Sequence, residues 1–471
     1  MSKGARKKSF REFQEDFYVA FENPQVFDCM EFNLLKVVQD GLKVQHSFST
    51  QWGLPWIILL IFTRIHRWVA RIRGIRSPFQ EELFLPHKGR KYLLLDPGRC
   101  VKTKSNQWTS LYFHRLIQQI ALQDQVFALE RAGIDPLLSY DFTISSFARH
   151  AFFLPFTQED RALYLALNQK FKEWHSNTQF SPLEFQYIKR ALQLFWEQYR
   201  VWNWIFHQVC PSEAVFICHY HKEGLILALK RNGIKAIELQ HGLIAAEDIF
   251  YVYPPPISSV ASKALFADEI RTYGPYWRNV LLEGNEYSPE QIKVGGYYLF
   301  EKERDRTFIE SIRNQAKEAP VLLVSTQKLL YQVFIDYVEW LVEDCHTKGI
   351  ECLIIVKPHP GNPEGTYASL ARHASVIVSR ADLYDLFSAS DLHLSIYSTT
   401  LYEATRLGLS NFSLYVESCS DYVERILSDG IANRLDWGEN PFLQDAAQAS
   451  SIAPEHLFAP FSFSNPNTIL S

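Results

Sequence analysis

The sequence predicts an α/β protein: two doubly wound parallel sheets facing a cleft, behind an N-terminal helical extension. Three observations predict it. Short apolar runs recur between Lys91 and Val416. Helical stretches, rather than tight hairpin turns, separate most of them, and that alternation makes a parallel sheet. The composition, 47% hydrophobic and 21% charged over 471 residues, is that of a folded chain with a large core, and excludes disorder or a disulfide scaffold.

Residues 1–88 read as the extension. From Gly41 to Gln80 there is no acidic residue, and the apolar run Trp52–Phe62 is followed by Arg64, Arg67, Arg71, Arg73 and Arg76. A bilayer span needs about 20 residues, so this run is too short to cross. Tryptophans around it and arginines after it suit a helix lying among anionic headgroups; a buried helix with a basic end is the alternative. No apolar stretch follows the basic N-terminus at once, so no secretory signal is predicted. The seven cysteines include no C-x-x-C pair, and their odd number fits a reducing compartment. These features together predict a cytoplasmic protein, peripheral at the inner face of the membrane if Trp52–Arg76 is the headgroup helix and not the buried one. The net charge of −4 argues against a nucleic-acid partner.

A first α/β unit is expected over 89–300. Lys91–Asp96 is a strand stopped by Pro97-Gly98. Ser110–Leu122 reads as a helix, Gln125–Leu129 and Pro136–Tyr140 as strands, and Gln158–Trp174 and Ser181–Gln208 as long aromatic-rich helices. Ala214–Cys218 and Lys235–Leu239 are strands around a helix that Asn232-Gly233 closes. Ala264–Phe266 reads as a further strand, and Tyr273-Gly274-Pro275 opens a helix. A second unit is expected over 318–416. Its strands are Pro320–Val324, Glu351–Val356, Ala374–Val378, Leu392–Ile396 and Asn411–Val416. Its helices are Leu330–Lys348, Asp382–Ser390 and Thr400–Leu407. Residues 417–471 form a tail.

In such sheets ligands lie beyond the carboxyl ends of the strands. There the first unit offers His219, His221, Lys222, Glu223, Gln240, His241 and Gly242, and the second Ser325, Thr326, Gln327, Lys328, Lys357, His359, Ser395, Ser398, Thr399 and Thr400. Hydroxyls at a helix start, with lysine and imidazole beside them, suit a phosphate. Glu403, one turn further on, suits a ribose diol. Each piece also has a plain structural reading. Ser398-Thr399-Thr400 caps a helix, Lys357-Pro358-His359-Pro360 makes a rigid turn, and Gln240-His241-Gly242 holds a buried histidine beside a turn. His219 and His221 alternate faces and lack a third ligand, so no metal site is expected. Dinucleotide, P-loop and nucleophile-elbow motifs are absent, as is any Asp-x-Asp pair.

At Glu238–Gly242, Lys357–Pro360 and Ser395–Ala404 the sequence resembles GT-B glycosyltransferases of bacterial surface polysaccharide assembly. The resemblance is to the group with CMP- or CDP-linked donors: capsule Kdo transferases, sialyl- and polysialyltransferases and teichoic-acid glycerophosphotransferases. It covers residues 210–416. It implies a GT-B-like pair of Rossmann-type domains, the first for acceptor and the second for donor. It implies a metal-independent transfer from a nucleotide-sugar to a glycan or lipid-linked glycan, with no cofactor. It assigns phosphate binding to His359, Ser398 and Thr399, supported by Lys357, Thr400, Ser395, Ser325, Thr326, Lys328 and Gly242, and nucleoside contact to Glu403. The catalytic group is His241 with Glu223 and Gln240. The acidic pair before glycine that serves as base in sialyl-type members is missing, and Glu130, Asp135, Asp141 and Glu223 are loose substitutes. Two alternatives stay open: a UDP-GlcNAc 2-epimerase-like enzyme and a non-catalytic subunit of the same fold. If residues 52–76 dock the chain, their deletion abolishes co-sedimentation with anionic vesicles; unchanged sedimentation refutes the assignment.

Overall fold

The computed structural model describes residues 28–29, 32–33, 37–38 and 83–463. Excepted are residue 104 and the stretches 131–136, 145–146, 148–149, 152–153, 155, 178–181, 245–250, 252–264, 285–286, 300, 302 and 445–451. The Trp52–Arg76 segment and most of the extension lie outside the described residues. Where the extension is described it holds a short antiparallel pair, Asp28–Cys29 with Phe32–Asn33, and buries Val37 and Val38 in the first core.

The first sheet has seven strands: β1 Tyr92–Asp96, β2 Gln125–Leu129, β3 Phe142–Thr143, β4 Glu213–Ile217, β5 Lys235–Leu239, β6 Glu269–Thr272 and β7 Ile292–Val294. Their order is β7-β6-β5-β4-β1-β2-β3, and every pairing is parallel. The second sheet has β8 Val321–Ser325, β9 Leu353–Lys357, β10 Val376–Val378, β11 Leu392–Ser395, β12 Ser410–Leu414 and β13 Asn433–Leu435. Its order is β10-β9-β8-β11-β12-β13, again all parallel. Each sheet starts at its centre, runs to one edge and then crosses to the other side. The chain therefore reverses direction at β1/β4 in one lobe and at β8/β11 in the other. Such reversals leave a crevice at the strand ends, where doubly wound proteins bind ligands. This is the predicted architecture: two Rossmann-type lobes in a GT-B-like arrangement.

Four elements depart from the sequence expectation. The helix drawn over Ser110–Leu122 is confined to His114–Gln119, and before it Cys100–Lys102 and Trp108–Ser110 form an antiparallel hairpin. The strand expected at Pro136–Tyr140 is displaced to β3, because the Tyr140 ring stacks on Phe127 at 4.5 Å instead of entering the sheet. The strand expected at Ala264–Phe266 is β6 instead. Its sequence Glu-Ile-Arg-Thr reads as polar, yet all four residues are buried. The Arg271 guanidinium pairs with Glu269, which Lys235 also engages at 2.6 Å, so the charges enter the core compensated. Finally, the second sheet runs past residue 416 to β13. Pro441–Leu443 follows it, and residues 457–463 then return to the first lobe.

That return holds the lobes together on one side. Ala459 donates to Tyr273 O and accepts from Tyr297 N, each at 2.8 Å, while Trp277 Nε1 donates to Leu457 O at 2.8 Å. Trp277 also packs against Tyr402 of the second lobe at 4.8 Å. The Tyr297 and Tyr384 hydroxyls meet at 2.9 Å across the same seam.

In the first lobe the long helix Pro182–Val209 packs on Glu223–Arg231. Gly224 permits the approach. A Cβ there would stand 2.3 Å from Phe195 O and 2.8 Å from Tyr199 N, both backbone atoms that cannot swing aside. Gly224→Ala should therefore cost at least about 1–3 kcal/mol by overpacking, measured as a lowered denaturation midpoint; an unchanged midpoint refutes the close approach.

Candidate functional site

The first lip of the crevice is built by β1, β4 and β5. After β4 the chain turns sharply through Cys218 and His221, both at positive φ (66° and 61°). The buried Glu238 carboxylate on β5 fixes this turn. It accepts from the His219 backbone N–H at 3.2 Å, from His219 Nδ1, and from Tyr251 OH at 2.7 Å. Burial opposes the Glu238 charge, but His219 and the hydrogen bonds bring its carboxyl below the ordinary range. The locked turn presents Cys218 and Tyr220 to His241. The Cys218 Sγ lies 3.2 Å and the Tyr220 hydroxyl 2.8 Å from His241 Nε2. Burial pulls His241 down to about 4; the Glu238 carboxylate opposes this, and the charges of Arg99 and Lys222 add to it. The imidazole is therefore neutral at neutral pH.

The other predicted catalytic residues sit differently. Gln240 is fully buried. Its Nε2 donates to Gly242 O at 2.9 Å, and its Oε1 accepts from Tyr273 N at 2.8 Å. It holds the turn that carries His241 and presents nothing to a ligand. Glu223 is 4% exposed, in the first turn of its helix. Of the carboxylates weighed as base, Glu130 pairs with Lys222, Asp141 accepts from Phe127 N at 2.7 Å, and Asp135 lies outside the described residues. A Cβ on Gly242 would meet nothing within 4 Å, so the loop has open space beside it.

The second lip is built by β8, β9 and β11. Thr326 orders it. Its hydroxyl donates to Lys357 O at 3.2 Å and accepts from His359 N at 3.0 Å. His359 Nδ1 in turn accepts from Gly361 N at 3.0 Å. A neutral imidazole accepting at Nδ1 carries its proton on Nε2. His359 is thus set up as a donor. Burial lowers it, and Arg99 and Lys328 lower it further. Lys328 is exposed beside it, its side chain 3.2 Å from where a Gly361 Cβ would be. At the start of the helix Thr399–Thr405, Ser398 caps by accepting from Thr400 N at 3.2 Å, and Thr399 is partly exposed.

Five residues expected on this lip, Thr400 among them, are turned elsewhere. Ser325 is buried against His393 (2.8 Å) and the Thr400 hydroxyl (2.9 Å), and Ser395 donates to Ser325 O at 2.8 Å. These form a polar underlayer below the helix start. Lys357 donates to Ala381 O at 2.6 Å, on the β10 side. Burial raises the Glu403 carboxyl to about 7, against hydrogen bonds from Tyr384 and Tyr297. Glu403 therefore sits in the seam between lobes, and a ribose contact requires that seam to open.

Sequence reasoning missed Arg99. It is the first residue after the Asp96-Pro97-Gly98 turn at the end of β1, beside the chain reversal. Asp96 is buried and its Oδ1 accepts from Gly98 N at 2.7 Å; Gly98 has φ 79°. This turn delivers Arg99 into the crevice, with its guanidinium 5.8 Å from the Tyr112 ring. Its charge reaches both His241 and His359. The charge of this one guanidinium therefore acts on an imidazole of each lobe. A basic residue just past a Pro-Gly turn at the first strand end is the signal that could have found it.

No protein-family model matches the chain, and no curated protein matches it. Solved structures resemble it in general shape. The S. aureus MnaA–UDP co-structure is 10% identical over 74% of this chain and 84% of that one, with a TM-score of 0.42. Acinetobacter baumannii MurG is 12% identical over 78% and 88%, with a TM-score of 0.37. The wall teichoic acid polymerase TagF is 12% identical over 76% and 79%, with a TM-score of 0.38.

Removing a neighbouring positive charge raises an imidazole pKa. Arg99→Gln should therefore raise the NMR titration midpoints of both His241, from about 4, and His359. If only one moves, the imidazoles do not share a gap.

Proposed function

We propose that the chain is a nucleotide-sugar enzyme, a glycosyltransferase that moves a sugar from a nucleotide-activated donor to a glycan acceptor. The observation that carries this reading is an imidazole at a strand end of each lobe, His241 with Tyr220 on its Nε2 and His359 with its Nδ1 engaged by Gly361, both under the charge of Arg99.

On this reading an anion binds between the lips, with the His359 Nε2–H, the Lys328 ammonium and the Arg99 guanidinium as its donors, the two cations both acting on His359, and with the capped helix start at Ser398-Thr399 beside them. These groups stabilise the charge that builds on the phosphate as its bond to the sugar breaks. Opposite them, neutral His241 is able to accept a proton. The acceptor oxygen forms its bond to the sugar's anomeric carbon, and its proton passes to His241, directly or through the Tyr220 hydroxyl on Nε2. The nucleotide departs with the electron pair of the broken bond. Protein cations here fill the role of a divalent ion, so the reaction is proposed to be metal-independent. We further propose a lipid-linked surface glycan of the capsule or lipopolysaccharide kind as acceptor, reached at the cytoplasmic face of the membrane through Trp52–Arg76.

A nucleotide bound only by the folded state, at a hundred times its Kd, stabilises by about 2.7 kcal/mol. A thermal-shift series with CMP, CDP, UDP, GDP and dTDP should therefore show one clear winner. With that donor, His359→Ala and His241→Ala should each lower transfer by about 100- to 1,000-fold without lowering the melting temperature. Wild-type turnover in both variants refutes the site. Epimerisation of the donor with no acceptor present would replace the transferase reading.

A further inference from the structure

The hairpin that follows Arg99 has no counterpart in the sequence expectation, and it borders an open depression. Its residues Lys102, Thr103 and Asn106 face residues 303–306 of the linker between lobes across a cavity of about 940 Å³. Every lining side chain is polar. Sites for drug-like molecules are lined mostly by apolar groups, so this cavity suits a hydrated, hydroxyl-rich ligand. Three cations and two carboxylates line it. One carboxylate, Asp305, is occupied as the N-cap of the helix Arg306–Ala316, accepting from Phe308 N at 3.1 Å. Among the described residues neither Lys102 nor Arg306 has a carboxylate at ion-pair distance. The local balance is therefore positive, although the whole chain carries −4. Beside the cavity the Trp108 indole is 40% exposed, with the Lys102 ammonium 5.1 Å from its centroid. An exposed indole next to a cation is a stacking surface for a ring that bears an acidic group.

Position connects the cavity to the gap. Arg99 immediately precedes the hairpin strand Cys100–Lys102. A strand rises about 3.3 Å per residue, which puts Lys102 about 10 Å along the backbone from Arg99.

We propose that this cavity is an acceptor-side subsite for an anionic oligosaccharide, which leaves the gap past Arg99, stacks on Trp108 and places its acidic groups on Lys102 and Arg306. The proposal rests on the transferase reading and adds the chemical class of the acceptor.

The test uses the full-length protein and two tetrasaccharides of equal length, tetragalacturonate (acidic) and maltotetraose (neutral), in calorimetric titrations at low and high salt. Tetragalacturonate should bind at least tenfold more tightly than maltotetraose and lose affinity as salt rises. The double variant Lys102→Glu/Arg306→Glu should weaken tetragalacturonate at least tenfold, with Lys102→Gln/Arg306→Gln in between. Trp108→Ala should weaken both sugars. Nucleotide-induced stabilisation should be the same in every variant, which also shows that each is folded. Absence of tetragalacturonate binding overturns the proposal, as does equal binding by the charge-reversed variant or equal binding of maltotetraose. If nucleotides stabilise the protein while the sugar results fail, the subsite alone falls. If no nucleotide stabilises the wild-type protein, the transferase reading falls and the acceptor role falls with it.

Discussion

The charge of Arg99, which acts on an imidazole of each lobe, is the interaction around which the rest is arranged. Arg99 and Lys328 have no ion-pair partner among the described residues, whereas most cations in the interior of this protein do. Arg271 is matched by Glu269, Arg406 by Glu301, and Lys222 by Glu130. Arg99 and Lys328 are exposed, so water solvates them as they stand, and on the proposed reading an anionic ligand enters the gap beside them. The turns that aim at it are correspondingly over-determined: Asp96 holds the Arg99 loop, Glu238 the Cys218–His221 loop and Thr326 the His359 loop.

The neutrality of the imidazoles follows from the same arrangement. Two separate effects depress His241 and His359: loss of water around the ring, and repulsion from neighbouring cations. In the proposed reaction a bound phosphate would cancel the second and leave the first, so the rings would become more basic with the donor in place, and a neutral His241 would gain proton affinity at that stage. His359 needs no such change. Its Gly361 hydrogen bond has already set the tautomer that donates from Nε2.

How much of this could be read from the sequence depended on the kind of residue. Strands such as Lys235–Leu239 and Leu392–Ser395 were legible because they are continuous apolar runs ended by polar turns. Strand Glu269–Thr272 was not, because Glu269 and Arg271 compensate each other inside the core, with Lys235, distant in sequence, as a second partner of Glu269. Among site residues, His241 and His359 were legible as imidazoles at strand ends. Gln240, Ser325 and Ser395 share that address but point inward, since a strand end alternates its faces and sequence alone does not say which face is wet. Arg99 was overlooked for a related reason. Its importance comes from the chain reversal between Tyr92–Asp96 and Glu213–Ile217, a relation between strands more than a hundred residues apart.

The seam between the lobes constrains how the gap can work. On its closed side, Trp277 against Tyr402, Tyr297 against Tyr384 and the returning tail bind one lobe to the other. Glu403 lies in that seam with its carboxyl pushed up to about 7, so near neutral pH it exchanges between a proton and the hydrogen bonds of two tyrosines. A carboxylate able to lose its proton there at little cost is poised for new donors. A ribose diol would supply two hydroxyls of the kind Tyr297 and Tyr384 now offer. Exchanging tyrosine hydroxyls for sugar hydroxyls would change little in local hydrogen bonding, but it would part the seam. On the proposed reading donor binding and movement of the lobes would be one event, because Glu403, expected to read the nucleoside, is also a group that joins the lobes.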